Sequence, residues 1–259
     1  MSTIIYPSPI FGPVHSRRLG VSLGVNLQPA DGKVCTFDCI YCECGFNADR
    51  RPHSPRPTRE QVAQALEAVL GRMKAGGEHL DVITFAGNGE PTGHPDFAAI
   101  IDDTTALRDR YFPEAKVSVL TNSTFAHLPE VHAALMKVDN NIMKLDTIDP
   151  DYIRLVDRPV SRAYSVEGII DTIASFGGHA IVQTMFMKGT AGGRDVDNTA
   201  DRFVNPWLEA LRRIQPREVM IYTIDRETPE HGLLKASRDE LNGIRDRVAA
   251  MGIECTASY

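Results

Sequence analysis

At 259 residues, with 42% hydrophobic and 24% charged side chains, the chain can bury one large α/β core or two small ones and has the balance of a soluble globular protein. Its formal net charge of −6 speaks against indiscriminate nucleic-acid binding, which rests on neutralising phosphates. No apolar run approaches a bilayer span, and the opening MSTIIYPSPIFGP has early prolines and no basic region, so neither a membrane helix nor a signal peptide is expected and the expected location is cytoplasmic.

Residues 21–27 (VSLGVNL) alternate apolar side chains with polar ones or glycine, which predicts a strand. A loop holding four of the five cysteines follows. Thr58 and Gln61 then form a capping box ahead of a helical stripe at Val62, Leu66, Val69, Leu70 and Met73, closed by Gly76 and Gly77. DVITFAG (81–87) has the β-branched run of a buried parallel strand. A helix over 97–107, a strand over 116–122, a helix opened by Pro129 and a strand over 141–147 continue the alternation. Ser165 caps the next predicted helix, and HAIVQTMFMK (179–188) reads as one strand. Asn205 and Pro206 are placed to open a helix carrying Trp207, Leu208, Leu211 and Ile214. A strand over 218–224 and a second capping box, Ser237 with Glu240, precede the last helix, and IECTASY is a final strand or an ordered coil.

These six strand-then-helix units predict a parallel sheet, either an incomplete barrel or an open doubly wound sheet, with the active site at the carboxyl ends of the strands. No composition break divides the chain. The expectation is one domain over 1–259: an N-terminal extension (1–20), a core (21–230) and a C-terminal helix and tail (231–259).

Cys35, Cys39 and Cys42 are spaced C-x3-C-x2-C, with Tyr41 before the last cysteine. In a reducing compartment such a cluster reads as metal-binding or redox-active rather than disulfide-bonded. Thiolates suit iron–sulfur clusters or zinc. Structural zinc sites pair two C-x2-C knuckles or add a later H-x3–5-H, and this chain has neither; His15 and His53 are loose candidates. Three thiolates without a fourth ligand suggest a four-iron cluster with one iron open. A zinc knot or an electron-carrier cluster is the alternative.

This spacing resembles the radical S-adenosylmethionine (SAM) superfamily. GNGEP (87–91), directly after a predicted strand, is similar to that superfamily's GGEP motif, which receives the amino group of SAM. The resemblance implies cofactor contacts from Gly87, Asn88, Gly89 and Glu90. The glycines would let backbone approach the cofactor, and Glu90 would pair with its ammonium. Asn88 departs from the commoner second glycine. It further implies contacts from Tyr41, from Asn122 and Ser123 in LTNST (120–124), from Asp146 in KLD (144–146) at the ribose, and from Gln183 and Tyr222. Asn122 as a turn residue, Asp146 as a helix cap and Gln183 as a core amide are the structural alternatives.

FGPVHSRRLGVSLGVNLQP (11–29), together with TNS and DRP (157–159), resembles the radical SAM group that includes the wyosine tRNA-modifying synthetases and their uncharacterised bacterial relatives. Arg17 and Arg18 are candidates for a substrate carboxylate or phosphate, or else anchor the N-terminal segment. The implied fold is a partial (β/α)6 barrel. The implied activity is reductive cleavage of SAM at a [4Fe-4S] cluster to a 5′-deoxyadenosyl radical, with an external flavodoxin or ferredoxin as electron donor and no membrane partner. The group's tRNA enzymes are longer and carry a second set of cysteines. Here only Cys44 and Cys255 remain, so a tRNA substrate held by Arg50, Arg51, Arg56 and Arg59 is the alternative, and a non-catalytic SAM-binding iron–sulfur protein a second. Cys44 is expected to be a small buried side chain.

Overall fold

The structure is a computed structural model that describes residues 3–16 and 18–259. Strands β1 (Ile10–Ser16), β2 (Gly20–Val25), β3 (Val82–Phe85), β4 (Lys116–Thr121), β5 (Asn140–Lys144), β6 (Ala180–Met185), β9 (Glu218–Tyr222) and β11 (Glu254–Ser258) form one eight-stranded sheet in that order. A small sheet holds β7 (Met187–Ala191), β8 (Arg194–Asp195) and β10 (Leu233–Lys235). Every neighbouring pair from β2 to β11 is parallel, and β1 closes one edge as the antiparallel arm of a hairpin. The order never reverses, as it must in a doubly wound sheet. The sheet therefore curls into a half-barrel, which decides between the two expected architectures.

Helices α1 (Arg59–Ala75), α2 (Phe97–Tyr111), α3 (Pro129–Leu135), α4 (Pro150–Val156), α5 (Val166–Ala174), α6 (Asp201–Ile214) and α7 (Arg238–Ala249) alternate with these strands. Both predicted capping boxes form, at Thr58 with Gln61 and at Ser237 with Glu240. The two-residue strand period sorts the core into two layers. Val119, Met143, Val182 and Val219 belong to the large cluster with the helix stripes of Leu66, Ile100, Ile170 and Trp207. The alternate residues Leu120, Ile142, Ile181 and Met220 form a separate inner cluster that Leu19 joins. Burying each such side chain contributes on the order of 1.5–3 kcal/mol, so the outer layer holds the helices to the sheet.

Two expectations are corrected. The helix predicted to open at Asn205 starts at Asp201, and Pro206 lies inside it. The backbone N–H groups of Phe203 and Val204 already bond to the Ala200 carbonyl, and a proline early in a helix forfeits one hydrogen bond without stopping it. The single strand predicted over 179–188 breaks at Phe186, whose N–H turns to the Tyr222 carbonyl (2.8 Å). Asn198 clamps the break, donating to the Met185 carbonyl (2.8 Å) and accepting from the Met187 N–H (2.9 Å). Within the N-terminal extension β1 is part of the sheet, and the IECTASY tail, of its two expected forms, takes that of a strand and supplies the opposite edge as β11. Among the described residues, no helix is long and apolar enough to cross a membrane.

Candidate active site

The cysteine loop leaves the carboxyl end of β2 and is stitched to two neighbours. On one side the Val34 N–H donates to the Asn88 carbonyl (2.9 Å) and the Glu90 N–H to the Val34 carbonyl (3.2 Å), a short parallel bridge to the loop after β3. On the other, the Asp38 and Ile40 N–H groups donate to the carbonyls of Asp157 and Val156, and the Val160 N–H to that of Thr36. Asn47 ties the turn from within, taking the Cys35 N–H on its oxygen and donating to the carbonyls of Cys35 and Phe37. The two segments with the most specific motifs are thus one structural unit.

Gly89 makes that contact possible. It has φ +141°, and a Cβ there would lie 1.8 Å from the Val34 carbonyl oxygen. Gly87, at φ +125°, would meet the Asn26 side chain at 2.9 Å. Both glycines make room for the chain's own backbone and side chains, Gly89 for the cysteine loop and Gly87 for Asn26 just after β2. Gly89→Ala is expected to cost at least about 2 kcal/mol and to part the two loops, which chemical denaturation would read as a lowered midpoint.

All five cysteines are free thiols. The neighbouring Cys44 thiol, and then the Lys33 ammonium, hold Cys42 below the ordinary thiol range against burial. Burial first, and Glu90 second, push Cys35 up to about 12. Burial raises Cys39 as well, opposed by Lys144; its thiol lies 3.8 Å from Asp157 Oδ1. Cys44 is buried as expected, and its Sγ donates to the Gly87 carbonyl (3.2 Å). Cys255 lies on β11, far along the sheet.

Glu90 caps a single 3-10 turn (Pro91–Gly93) and is buried. Its Oε1 accepts from the Thr92 N–H (3.1 Å), the Thr92 hydroxyl and the Thr121 hydroxyl (2.6 Å), and its Oε2 from the Asn122 N–H (2.7 Å). Burial pushes its carboxyl above the ordinary range, against these donors. Oε2 has one partner and keeps acceptor capacity for a cation. Asn122 donates from its amide to Thr36 Oγ1 (2.8 Å) and Cys35 Sγ (3.6 Å), so it joins Glu90 to the cysteine loop. Ser123 stands at φ 69°, and its buried hydroxyl has no partner.

The Asn88 side chain clamps two distant segments of the chain. Its amide nitrogen donates to the Tyr6 (2.9 Å) and Pro29 (2.8 Å) carbonyls and its oxygen accepts from the Tyr6 N–H, which leaves the side chain no free donor. Tyr6 belongs to an N-terminal segment lying across the cysteine loop. The Ile4 N–H donates to the Glu43 carbonyl, and Arg226 bridges the Tyr6 hydroxyl (2.9 Å) and Glu43 (2.7 Å).

The barrel mouth holds a buried ion network. Lys144 pairs with Asp146 and with Asp157 (2.8 Å), and also reaches the Tyr41 hydroxyl, which bonds Asp146 in turn. Asp146 Oδ1 accepts from the Met185 N–H (2.9 Å). Asp146 Oδ2 is shared by Lys144 and Tyr41, while Oδ1 has this one partner and keeps acceptor capacity. Burial lifts Asp157 to about 7 although Lys144 opposes the shift, and two nearby carboxylates hold the Lys144 ammonium charged despite its burial. Tyr222 lies under the Arg18 guanidinium, 4.6 Å from ring centroid to carbon, and Arg18 Nη1 is buried with no partner. Gln183 precedes these groups on β6 and is almost fully buried. Arg17 lies outside the described residues.

The Radical SAM superfamily pattern matches residues 31–202. The chain belongs to the radical SAM superfamily. A UPF0026 protein of Helicobacter pylori strain J99 is 30% identical over 234 residues, 90% of this chain and 71% of that protein. Streptococcus suis SuiB bound to S-adenosylmethionine superposes with a TM-score of 0.64 at 14% identity over 91% of this chain, which spans about half of SuiB (50%). TYW1 with a lysine–pyruvate adduct bound gives a TM-score of 0.63 at 14% identity over 88% of this chain and 73% of TYW1. At these identities the two structures speak for a shared fold alone.

In this radical SAM protein the fold brings Cys35, Cys39, Cys42, Glu90 and Asn122 to one end of the half-barrel. Tyr41, Asp146 and Tyr222 join them through the Lys144 network. Sequence reasoning missed Lys33, Asn47, Lys144 and Asp157. Only KLD and DRP carried a signal for the last two, as quoted motifs without a role. Of the arginines considered for phosphate binding, Arg56 donates to Gln28 Oε1 (2.9 Å) and the Gly93 carbonyl, Arg59 makes a bidentate pair with Asp103, and Arg50 donates to Thr3.

Proposed function

We propose that Cys35, Cys39 and Cys42 ligate a [4Fe-4S] cluster whose fourth iron is open to SAM, and that the protein uses this pair to abstract hydrogen from an anionic substrate. The observation that carries the reading is the bridge at Val34 and Glu90, which fixes a buried carboxylate beside a triad of free thiols. The donor set fits a cluster. Among the described residues no three His, Cys, Asp or Glu side chains converge on a single metal ion, whereas the three thiols act on one another electrostatically and share one loop. Such an arrangement suits a body larger than one ion. When bound, the reduced cluster supplies an electron that cleaves the sulfonium bond of SAM into methionine and a 5′-deoxyadenosyl radical.

The chain's own groups bind, orient and exclude water. Glu90 Oε2 receives the ammonium of SAM, and the Asn122 N–H and amide hold Glu90 and Cys35 in register. The segment over 3–9 covers the cysteine loop and keeps solvent from it. Electrons come from an external flavodoxin or ferredoxin. Arg18 Nη1, buried, unpaired and stacked on Tyr222, receives a carboxylate or phosphate of the substrate.

Two measurements test this. Anaerobically reconstituted protein should hold about four iron and four sulfide per chain, and SAM should change the electron paramagnetic resonance line shape of the reduced cluster. An unchanged spectrum would contradict the open-iron reading. Separately, the metabolite fraction that raises SAM turnover should be the one retained on an anion exchanger, and Arg18→Met should abolish that rise while leaving uncoupled SAM cleavage intact. A stimulating fraction that passes through the resin would contradict the anionic substrate.

A further inference from the structure

Arg56, from the basic stretch RRPHSPRPTR (50–59), is turned onto the loop that carries Glu90. Its Nε donates to Gln28 Oε1 (2.9 Å) and its Nη1 to the Gly93 carbonyl (3.1 Å). Gln28 is only 1% exposed, and its Nε2 donates to the Glu90 carbonyl (2.6 Å). A guanidinium can only donate, so it fixes which end of the Gln28 amide is oxygen and aims the nitrogen at Glu90. Both ends of the 3-10 turn are held in this way, Glu90 through Gln28 and Gly93 through Arg56. On its other side Glu90 is held by the bond from its N–H to the Val34 carbonyl. Asn26 sets the register of the two segments, its Oδ1 taking the backbone N–H groups of Gln28 (3.0 Å) and Asn88 (3.2 Å). None of these bonds reaches the Glu90 carboxylate, whose partners are Thr92, Thr121 and Asn122. They fix the peptide units around it. An apolar side chain in place of Gln28 would fill the same space with less desolvation, and what the amide adds is direction.

We propose that Gln28 and Arg56 are positioning residues for SAM: they fix the backbone at both ends of the turn so that the Glu90 carboxylate meets the ammonium of the cofactor. The inference rests on the reading that Glu90 receives that ammonium. A charge-assisted hydrogen bond depends steeply on distance and angle, so a carboxylate on a loosened turn loses affinity even though its own charge and contacts remain. Gln28 and Arg56 act through Glu90 alone and touch no reacting atom.

The test is calorimetric titration of SAM into reconstituted protein with the cluster oxidised, so that no SAM is cleaved. Wild type, Gln28→Met, Arg56→Met, Arg56→Lys, Glu90→Gln and the double variant Gln28→Met/Glu90→Gln are compared, with iron content and the denaturation midpoint measured on each. Gln28→Met and Arg56→Met should each bind SAM about fivefold or more weakly with iron content unchanged. Arg56→Lys keeps the charge without the fork that spans both acceptors, so it should resemble Arg56→Met. In the Glu90→Gln background Gln28→Met should add little, because the two act through one carboxylate. Arg56 is half-buried, so its variants carry the test if Gln28→Met does not fold. Loaded variants with wild-type affinity and only a lowered midpoint would make the pair a loop clamp and overturn the inference. A loss that adds in full to that of Glu90→Gln, full recovery by Arg56→Lys, or loss of iron from the variants would overturn it as well. A wild type that binds no SAM, or a Glu90→Gln variant that binds it as wild type does, would overturn the Glu90 reading and this inference together.

Discussion

Cys39→Ala should abolish the iron–sulfur absorbance of reconstituted protein, and Cys35→Ala and Cys42→Ala should do the same, while Cys44→Ala should keep the full iron content. The difference follows from position. The three triad thiols share one loop, pinned by the Val34 bridge and by the backbone bonds to Val156 and Asp157. The Cys44 thiol instead donates to the Gly87 carbonyl. With three protein ligands, losing any one leaves too few thiolates to retain the cluster. Iron and sulfide assays on the four variants check this. A Cys44 variant that lost iron as completely as Cys39→Ala would mean that the ligand set is wrong.

Glu90→Gln should weaken SAM binding tenfold or more with cluster content unchanged. A charge-assisted hydrogen bond contributes on the order of 1.5–3 kcal/mol, and about 1.4 kcal/mol is a factor of ten in affinity. Glutamine keeps the shape of the site and most of its contacts to Thr92, Thr121 and Asn122, so the loss reports the charge. The pH dependence gives a second readout. Burial holds the Glu90 carboxyl above its ordinary range, and only the ionised form attracts an ammonium. Wild-type affinity for SAM should therefore fall as the pH is lowered through that raised value, and the Gln variant should lose this dependence. Titration calorimetry on both reconstituted proteins across the acid side of neutrality measures it. Equal affinities would reduce Glu90 to the cap of its 3-10 turn.

Much of this site was legible from spacing. C-x3-C-x2-C and GNGEP were each readable alone, because ligand chemistry fixes their residue types and their distances along the chain. The strand–helix alternation was readable because buried parallel strands and amphipathic stripes carry strong periodic signals. What stayed hidden depended on contacts across the chain. Nothing local in KLD says that Lys144 turns back onto Asp146 and across to Asp157, and nothing near Val34 says that Lys33 ends buried against the Gly45 carbonyl. The partners of the Asn88 side chain were hidden for the same reason: they are the Tyr6 backbone, 82 residues away, and the Pro29 carbonyl. Pro206 was misread because a proline is an equally good signal for a helix start and for a tolerated residue one turn in.

The most direct test of the central claim is the product of the reaction. Wild-type protein, reconstituted anaerobically and reduced with dithionite, is incubated with SAM alone, and 5′-deoxyadenosine and methionine are measured by mass spectrometry. The account predicts both products in equal amounts above a no-protein control. It also predicts that they vanish in Cys39→Ala and fall in Glu90→Gln at limiting SAM. A fully loaded, fully reduced wild type that yields neither product would contradict it, and would leave the bridged cysteine and Glu90 loops as the frame of an iron–sulfur protein that does not cleave SAM.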